Sequence, residues 1–288
     1  MPTEPFSGSV RSVFVNAAIL TIANRLLTLA PAATGGLPGA ITVDVPRGFD
    51  FSRFLIAGDD AASRAGVLRL AGDDTSVDLR GANYWRSRLR ELALDLNKPA
   101  TERAWRTVAA SLRTDGRSNA IARLGQGAIV KLGKATRRFD LQSAARAAER
   151  LVGLGAGGTP AGDDLLVGYL AGLWSSIASD RPRANFAASL ADILRGLGKR
   201  TNDVSRVYLE AAADAEVSER LADVMRSIAA GEAQPIVGAA AAAAISVGHS
   251  SGADGTLGLL VGLGAWGPTP IFHDSMRLLD EWSQAAGA

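Results

Sequence analysis

The spacing of hydrophobic residues changes near residue 82, and this change restricts the fold more than any other feature of the sequence. Before it, short apolar runs separated by Gly, Pro and Asp clusters predict β-strands. Asn24 and Arg25 separate the first two runs and suit a two-residue hairpin connection. Several short strands at this spacing are typical of a small barrel or curled sheet. The predicted strands are residues 19–23, 26–30, 40–45, 53–57, 67–70 and 76–79.

After the change, apolar residues recur at helical spacing. A first stripe predicts a helix that ends near Pro99, and it consists of Tyr84, Leu89, Leu92 and Leu96. Further helices are predicted at 101–113, 141–152 with Asp140 as N-cap, 160–178, 184–197, 202–213, 218–230, 235–247 and 255–266. The sequence therefore predicts an α+β protein. A β-rich N-terminal domain of residues 1–81, barrel-like or a curled sheet, is packed on an α-helical domain of residues 82–288.

Composition excludes several kinds of chemistry. The 288 residues contain no Cys and two His, which excludes disulfides, thiolate metal sites, Cys nucleophiles and a His-rich metal centre. Carboxylates, Arg, hydroxyls, backbone amides and at most two imidazoles remain for any catalysis. The N-terminus lacks a secretory pattern, and the long uncharged stretch at 233–253 is too rich in Ala to span a bilayer. We expect a cytoplasmic protein that does not associate with membranes.

Charge is distributed unevenly. Residues 1–150 carry 22 Lys and Arg against 14 Asp and Glu, whereas residues 151–288 carry 9 against 15. Within 80–138 the ratio is 14 to 4. Solvated helix faces, contact with an anion or partner, and nucleic-acid binding are all open for this segment. The segment has few aromatic residues and no known nucleic-acid-binding motif, so we expect no nucleic-acid partner.

Residues 153–164, GLGAGGTPAGDD, form the most informative segment. The tetrapeptide AGDD also occurs at 57–60 and 71–74, where it separates predicted strands and indicates turns. The third copy lies between two predicted helices, which excludes a dinucleotide fingerprint. Thr159 is the predicted N-cap of the second helix, with Pro160 at its first position. The amides of this loop, including Gly155 and Gly157, are then free to hold an anion.

Asp163 and Asp164 follow directly after this loop. In a first helical turn they complement the helix dipole, and that structural role alone explains them. Beside an anion they repel it, unless Mg²⁺ or a ligand with N–H₂ donors bridges the two charges. A carbamoyl or oxamate-like molecule has that combination of donors and acceptors. No metal ligand is assigned, and Mg²⁺ is left open as a cofactor.

A second polar loop occupies residues 248–256, GHSSGADGT. Ordinary roles at helix ends account for Gly248, Gly252 and Asp254 but not for His249, Ser250 or Ser251. His249 is a candidate to polarise a ligand or move a proton. Thr201 is predicted to cap the helix at 202–213 and is also a candidate to donate a hydroxyl to the same site.

These two loops resemble the family of the AllH-type subunit of oxamate carbamoyltransferase. The pattern GLGxGxTPxGDD is similar to this sequence at Gly153, Leu154, Gly155, Gly157, Thr159, Pro160, Gly162, Asp163 and Asp164, and a GHSSGxD-like loop matches residues 248–252 and Asp254. The sequence departs from the pattern at Ala156, Gly158 and Ala161. The resemblance implies a late step of allantoin or purine catabolism, in which a ureide such as oxalurate and phosphate give oxamate and carbamoyl phosphate. It also implies partner subunits.

Two functions therefore stand as hypotheses. In the first, the chain is a component of a carbamoyltransferase that binds a small carbamoyl- or carboxylate-bearing anion at its Gly-rich helix N-termini. In the second, it is a non-catalytic assembly or ligand-binding subunit with no activity alone. The predicted catalytic residues are Asp163, Asp164 and His249, and the predicted substrate-binding residues are Gly155, Gly157, Thr159, Thr201, Ser250, Ser251 and Asp254.

Overall fold

The computed structural model describes residues 5–71, 75–115 and 120–284. The chain divides into two compact units, Met1–Arg86 and Ser87–Ala288. Within the described residues, the first unit contains seven strands and the second contains ten α-helices. The predicted α+β class, with a barrel-like N-terminal sheet followed by a helical region, is confirmed.

The N-terminal unit is one nearly closed sheet in the order β4-β3-β2-β1-β5-β6-β7. Neighbouring strands are antiparallel except β3 and β4, which are parallel. Alternate residues of β5 and β6 are buried, as expected for strands with one face on a core. The strands are β1 (Phe6–Phe14), β2 (Ala17–Ile22), β3 (Arg25–Pro31), β4 (Ala40–Val43), β5 (Asp60–Arg64), β6 (Val67–Leu70) and β7 (Thr75–Asp78).

The predicted hairpin is confirmed, with its turn one residue earlier than expected. Ile22 pairs with Arg25, so Ala23 and Asn24 form the connection. Both have positive φ, at 47° and 60°. A two-residue turn of that geometry matches the twist of the flanking strands.

The strand predicted at 53–57 is wrong. Asp50 accepts a hydrogen bond from the amide of Ser52 at 2.9 Å and begins a 3₁₀ turn over Phe51–Arg53. The amide of Leu55 then donates to the carbonyl of Phe51 at 3.0 Å, and both side chains are buried. The apolar spacing therefore reflects a compact turn. Residues 57 and 58 form a turn as predicted, whereas residues 72–74 of the second AGDD copy lie outside the described residues.

The later predicted helices are present in order, with boundaries shifted by a few residues in most cases, whereas the helices at Ala120–Arg137 and Thr269–Gln284 were not predicted. Asp140 caps its helix as predicted, accepting from the amide of Ser143 at 3.0 Å. The helices are α1 (Pro99–Thr114), α2 (Ala120–Arg137), α3 (Leu141–Glu149), α4 (Ala161–Ser175), α5 (Arg181–Leu197), α6 (Asp203–Ala213), α7 (Glu219–Ala230), α8 (Gln234–Ile245), α9 (Ser251–Ala265) and α10 (Thr269–Gln284).

The helix predicted before Pro99 is absent, and only a 3₁₀ turn at Leu89–Glu91 forms there. Arg88 and Ala93 have φ of 53° and 45°, which a right-handed helix does not allow. The amide of Leu94 instead donates to the carbonyl of Ser175, at the end of α4, at 2.7 Å. This segment is irregular, and tertiary contacts bury Leu89, Leu94 and Leu96. The resulting pattern of apolar residues resembles helical spacing in the sequence.

The centre of the helical unit is the pair α4 and α9, which are buried along almost their whole length. A Cβ atom on Gly168 would lie 1.8 Å from the carbonyl oxygen of Gly255, and one on Gly258 would lie 1.9 Å from that of Leu165. Only glycine permits this approach of two backbones. The glycines that crowd these sequences therefore define the contact surface.

The two central helices run parallel. Gly168 lies against Gly255, and four residues later Gly172 lies against Leu259. Because the contacts advance in the same direction along both helices, their N-termini are at the same end of the pair. Among the described residues, no helix is both long and apolar enough to cross a membrane.

Candidate functional site

The two Gly-rich segments meet where α4 and α9 begin. The hydroxyl groups of Thr159, before α4, and Ser251, the first residue of α9, lie 2.9 Å apart. Thr159 also donates to a carboxylate oxygen of Asp164 at 2.9 Å. Either hydroxyl is able to be the donor in the contact between Thr159 and Ser251. The contact links residues that are 92 positions apart in sequence.

The first carboxylate of the site, Asp163, is 1% exposed and fully engaged. One oxygen accepts from the amide of Gly153 at 2.8 Å, and the other accepts from the hydroxyl of Thr201. Asp163 therefore joins the beginning of the Gly-rich loop to the segment that precedes α6. Both of its oxygens are used in this connection.

The start of α6 is thus the third helix terminus at the site. Thr201 is not its N-cap, contrary to the prediction, because its hydroxyl is used by Asp163. Asn202 caps α6 instead, accepting from the amide of Ser205 at 3.0 Å, and its side-chain amide donates to the carbonyl of Gly158 at 3.0 Å. The loops that precede α4, α6 and α9 are therefore connected by side-chain hydrogen bonds.

The predicted cap of α4 is also wrong. The amides of Asp163 and Asp164 both donate to the carbonyl of Pro160, which makes Pro160 the N-cap and Ala161 the first helical residue. Thr159 lies one residue too early to cap the helix, and its hydroxyl binds Asp164. A predicted capping residue is therefore part of the polar network.

The second loop is partly helical. Residues 251–256 form the first turns of α9, which begins four residues before the predicted start. Gly252 allows this, because a Cβ atom there would lie 2.1 Å from the carbonyl oxygen of Ala244 in α8. The early start places Asp254 in a first helical turn, beside the first turn of α4.

Asp164 is half-buried and has an unusual acidity. Burial raises its pKa from 3.8 to about 7, while the hydroxyls of Ser251 and Thr159 act in the opposite direction. The negative charge of Asp163 raises it further. Because this pKa lies close to neutrality, Asp164 is able to gain or lose a proton at physiological pH.

Asp254 is the least satisfied polar group of the site. It is 1% exposed, and neither carboxylate oxygen has a hydrogen-bonding partner among the described residues. Burial raises its pKa to about 8, and the charge of Asp164 adds to this effect. The hydroxyl of Ser250 is close enough to oppose the shift but does not form a hydrogen bond of normal geometry. A buried carboxyl without hydrogen-bonding partners is costly to the folded state.

Two buried or half-buried polar residues of α6, Ser205 and Tyr208, were not among the predicted site residues. Ser205 is 1% exposed, and its hydroxyl has no hydrogen-bonding partner among the described residues. Burial raises the pKa of Tyr208, as does the charge of Asp164, which places this phenol near the carboxylates. Their spacing of three residues on one helical face was the available signal.

The remaining predicted residues lie on the solvent side. Gly155 and Gly157 are exposed, with φ of 109° and 112°, in a conformation that other residues rarely adopt. The amides of residues 155–159 make no hydrogen bond with the described residues. His249 is exposed in the turn before α9. These groups are therefore accessible to a molecule that approaches the loop.

The charge balance of the site is negative. Asp163, Asp164 and Asp254 are the only charged residues in α4 and α9. Hydroxyl groups and other carboxylates shift the pKa values of Asp164 and Asp254, but no Lys or Arg does. Among the described residues, no three acidic or His side chains are placed to hold a metal ion together. The positive charge available here is that of the helix N-termini.

One prediction concerns Thr201. Thr201→Val keeps the shape of the side chain but leaves one oxygen of buried Asp163 without its donor, so we expect a loss of about 1–3 kcal/mol in the free energy of unfolding. Urea denaturation measures this loss. The exposed Thr114 of α1 provides the control, since Thr114→Val should change stability by less than about 0.5 kcal/mol. Equal effects of the two substitutions would contradict the assigned hydrogen bond.

The fold and site together define an α+β protein whose helical unit gathers three helix N-termini around buried carboxylates. Residues 151–263 of this chain match the model of a known family, described as oxamate carbamoyltransferase subunit AllH. The match begins just before the Gly-rich loop, ends within α9 and confirms the resemblance inferred from the two loops. No curated protein matches the chain, and neither does any solved structure.

Proposed function

We propose that this chain is an AllH-like component of a carbamoyltransferase and that its ligand binds where α4, α6 and α9 begin. The substrate class is a carbamoyl- or carboxylate-bearing anion of the oxamate or oxalurate type, processed in purine or allantoin catabolism. The single observation that carries the binding site is the buried Asp254 carboxyl, whose two oxygens have no partner among the described residues. The family match over this segment supports the reaction class.

The chemistry of the carboxyl groups favours a ligand with N–H donors. A carbamoyl group ends in NH₂, which provides two donors for Asp254 and Asp164. Hydrogen bonds from these donors satisfy oxygens that are otherwise desolvated without compensation. The unpartnered hydroxyl of Ser205 offers a further contact for the same ligand.

The anionic part of the ligand needs a different environment. The exposed amides of the loop that contains Gly155 and Gly157 are free to donate, and the three helix N-termini contribute positive potential. The ligand therefore lies with its NH₂ group toward Asp254 and its anionic end toward this loop. That orientation resolves the conflict between an anion and neighbouring aspartates.

Carbamoyl transfer requires no covalent nucleophile from the protein. It requires the two reactants to be held together and the charge on the carbonyl oxygen to be stabilised as the tetrahedral state forms. In this proposal His249 and Ser250 reach the carbonyl from the solvent side, while Thr159 and Ser251 hold Asp164 in place. Asp164, with a pKa of about 7, exchanges a proton with the departing or arriving nitrogen group.

The proposal predicts ligand protection that depends on Asp254. Thermal unfolding of the purified chain is measured with carbamoyl phosphate, oxamate, oxalurate and phosphate, each with and without Mg²⁺. A ligand at about 100 times its Kd adds about 2.7 kcal/mol of stability. We expect this effect for one carbamoyl compound above about pH 8, where Asp254 is ionised and both of its oxygens accept hydrogen bonds. Asp254→Asn should reduce the protection at that pH, because the amide nitrogen cannot accept a hydrogen bond.

The matched control is Asp192→Asn, an exposed substitution in α5 that should leave protection unchanged. Retained protection in the folded Asp254→Asn variant would refute the assigned role of Asp254. If no compound protects the wild-type chain, binding by the isolated chain is refuted, and the second hypothesis, an assembly subunit inactive alone, takes its place. Activity that appears only after co-purification with partner subunits would then support the second hypothesis.

A further inference from the structure

A cationic groove lies beside the candidate site, on the surface formed by α2, α3 and the turn before α6. It consists of two adjoining cavities of about 560 and 420 Å³, which share Arg146 and Arg150 as walls. Across the two cavities, six cationic residues face two acidic ones. The cationic residues are Lys131, Lys134, Arg138, Arg146, Arg150 and Arg200, and the acidic ones are Asp140 and Glu149.

Five of the six cations have no acidic residue within ion-pair distance in the described part of the chain. Only Arg200 does, with Glu149 at 2.5 Å. Elsewhere in the helical unit, arginines pair with an acid one turn away, as Arg195 does with Asp192 and Arg226 with Asp223. Most of the positive charge in the groove is therefore not neutralised by ion pairs of the kind seen on the other helices.

The acids within the groove are already occupied. Asp140 caps α3, and the hydroxyl and amide of Ser143 lower its pKa, with a smaller contribution from the charge of Arg146. Glu149 is held by Arg200. Like charges three or four residues apart repel each other, as between Lys134 and Arg138 or between Arg146 and Arg150. This arrangement favours an anionic occupant.

An apolar residue adjoins the cations. Phe139 follows Arg138 directly and is 44% exposed, although its ring stacks at 5.9 Å on the ring of Trp266. Its φ of 57° is unusual for a bulky residue and directs the chain sharply between α2 and α3. Arginines beside an exposed aromatic residue are typical of the energetically important part of protein interfaces.

We propose that this groove docks an acidic surface of a protein partner. A small anion is disfavoured because the lining cations are all exposed, whereas small-molecule sites are mainly apolar and enclosed. Single-stranded nucleic acid is disfavoured because no aromatic residue lines the two cavities for base stacking. A protein surface is able to contact the exposed cations and the neighbouring Phe139 together, and charge complementarity directs the encounter.

The groove adjoins the Gly-rich loop, so a docked partner would affect the candidate site. Gly153 and Leu154 line one of its cavities, and the amide of Gly153 holds Asp163 of the candidate site. A partner that occupies the groove therefore contacts the Gly-rich loop and covers its open side. This inference rests on the charges of the groove and on the exposed Phe139 beside it, so it stands or fails independently of the proposed ligand.

The test measures fluorescence anisotropy of a labelled oligoglutamate peptide with the purified chain. The comparison probes are the matched oligoglutamine peptide and a single-stranded oligonucleotide of the same charge. We expect salt-dependent binding of oligoglutamate, no binding of oligoglutamine, and weaker binding of the oligonucleotide. The double variant Arg146→Gln/Arg150→Gln should weaken oligoglutamate binding by about tenfold or more.

Arg195→Gln/Arg277→Gln is the matched control, since it removes the same net charge from arginines that are ion-paired elsewhere. Equal weakening in both double variants would overturn the proposal, because binding would then follow net charge and not the groove. Tighter binding of the oligonucleotide, lost in the groove variant, would also overturn it in favour of a nucleic-acid site. Sedimentation that shows self-association lost in the groove variant would assign the surface to a second copy and overturn it as well.

Discussion

Gly258→Ala is expected to abolish stable folding of the helical unit. The new Cβ atom would lie 1.9 Å from the carbonyl oxygen of Leu165 and 2.9 Å from the amide nitrogen of Tyr169, both of them backbone atoms. No rotamer change relieves such a contact, so the backbones of α4 and α9 must move apart. These two helices form the buried centre of the helical unit. We expect a loss above about 4 kcal/mol, a large part of the 5–15 kcal/mol that stabilises a typical domain. Urea denaturation, or solubility where the variant does not fold, measures the effect.

Gly127→Ala is the control for this substitution. Gly127 is an exposed residue within α2, and a Cβ atom there would meet nothing within 4 Å. Alanine should therefore stabilise the protein by up to about 1 kcal/mol through helix propensity. The two substitutions are chemically identical and are expected to have opposite signs. A Gly258→Ala variant as stable as the wild type would show that the two helices are not in backbone contact.

Stability is expected to fall as pH rises from about 4 to about 8. Burial raises the pKa of Asp254 from 3.8 to about 8 and that of Asp164 to about 7. Between those values the folded protein binds more protons than the unfolded chain, so raising the pH favours unfolding until Asp254 has lost its proton. Each pKa unit corresponds to about 1.4 kcal/mol per group, and the combined effect is on the order of several kcal/mol.

Asp254→Asn assigns this pH dependence to one residue. Asparagine is never charged, so the variant should lose less stability with rising pH and should be more stable than the wild type above about pH 8. Thermal unfolding across a pH series measures both slopes, and Asp192→Asn serves as the exposed control. Carboxyl groups with a lowered pKa, such as Asp78 and Asp95, act in a separate window at more acidic pH. Parallel slopes for wild type and Asp254→Asn would contradict the assignment.

Asp254 is expected to affect the stability of the protein and its ligand binding in opposite directions. An unpartnered buried carboxyl destabilises the ligand-free protein, and its replacement should stabilise the fold while weakening ligand binding. Opposite effects on stability and binding are the expected signature of a functional residue. Replacement of a residue with only a structural role should lower the stability of the protein, as we expect for Thr201.

Local sequence patterns were sufficient to predict secondary structure where neighbouring residues determine the conformation. The hairpin of β2 and β3, the capping of α3 by Asp140 and the order of the later helices all follow from short-range turn chemistry and hydrophobic periodicity. The same reasoning failed for the segment around Leu89 and at residues 53–57. In both, side chains are buried by contacts with distant parts of the chain, and this burial produces misleading local spacing.

The sequence by itself determined the α+β class, most of the strands and helices, and the two polar segments that carry Thr159, Asp164, Ser251 and Asp254. Only the tertiary structure decided that these segments meet, because their contact depends on the parallel packing of α4 and α9. Glycines four residues apart permit that packing, Gly168 and Gly172 on α4 and Gly258 and Gly262 on α9, but their spacing does not say which two helices meet. The unpartnered state of Asp254 also belongs to the tertiary structure, since burial and hydrogen bonding are set by every helix that surrounds the carboxyl.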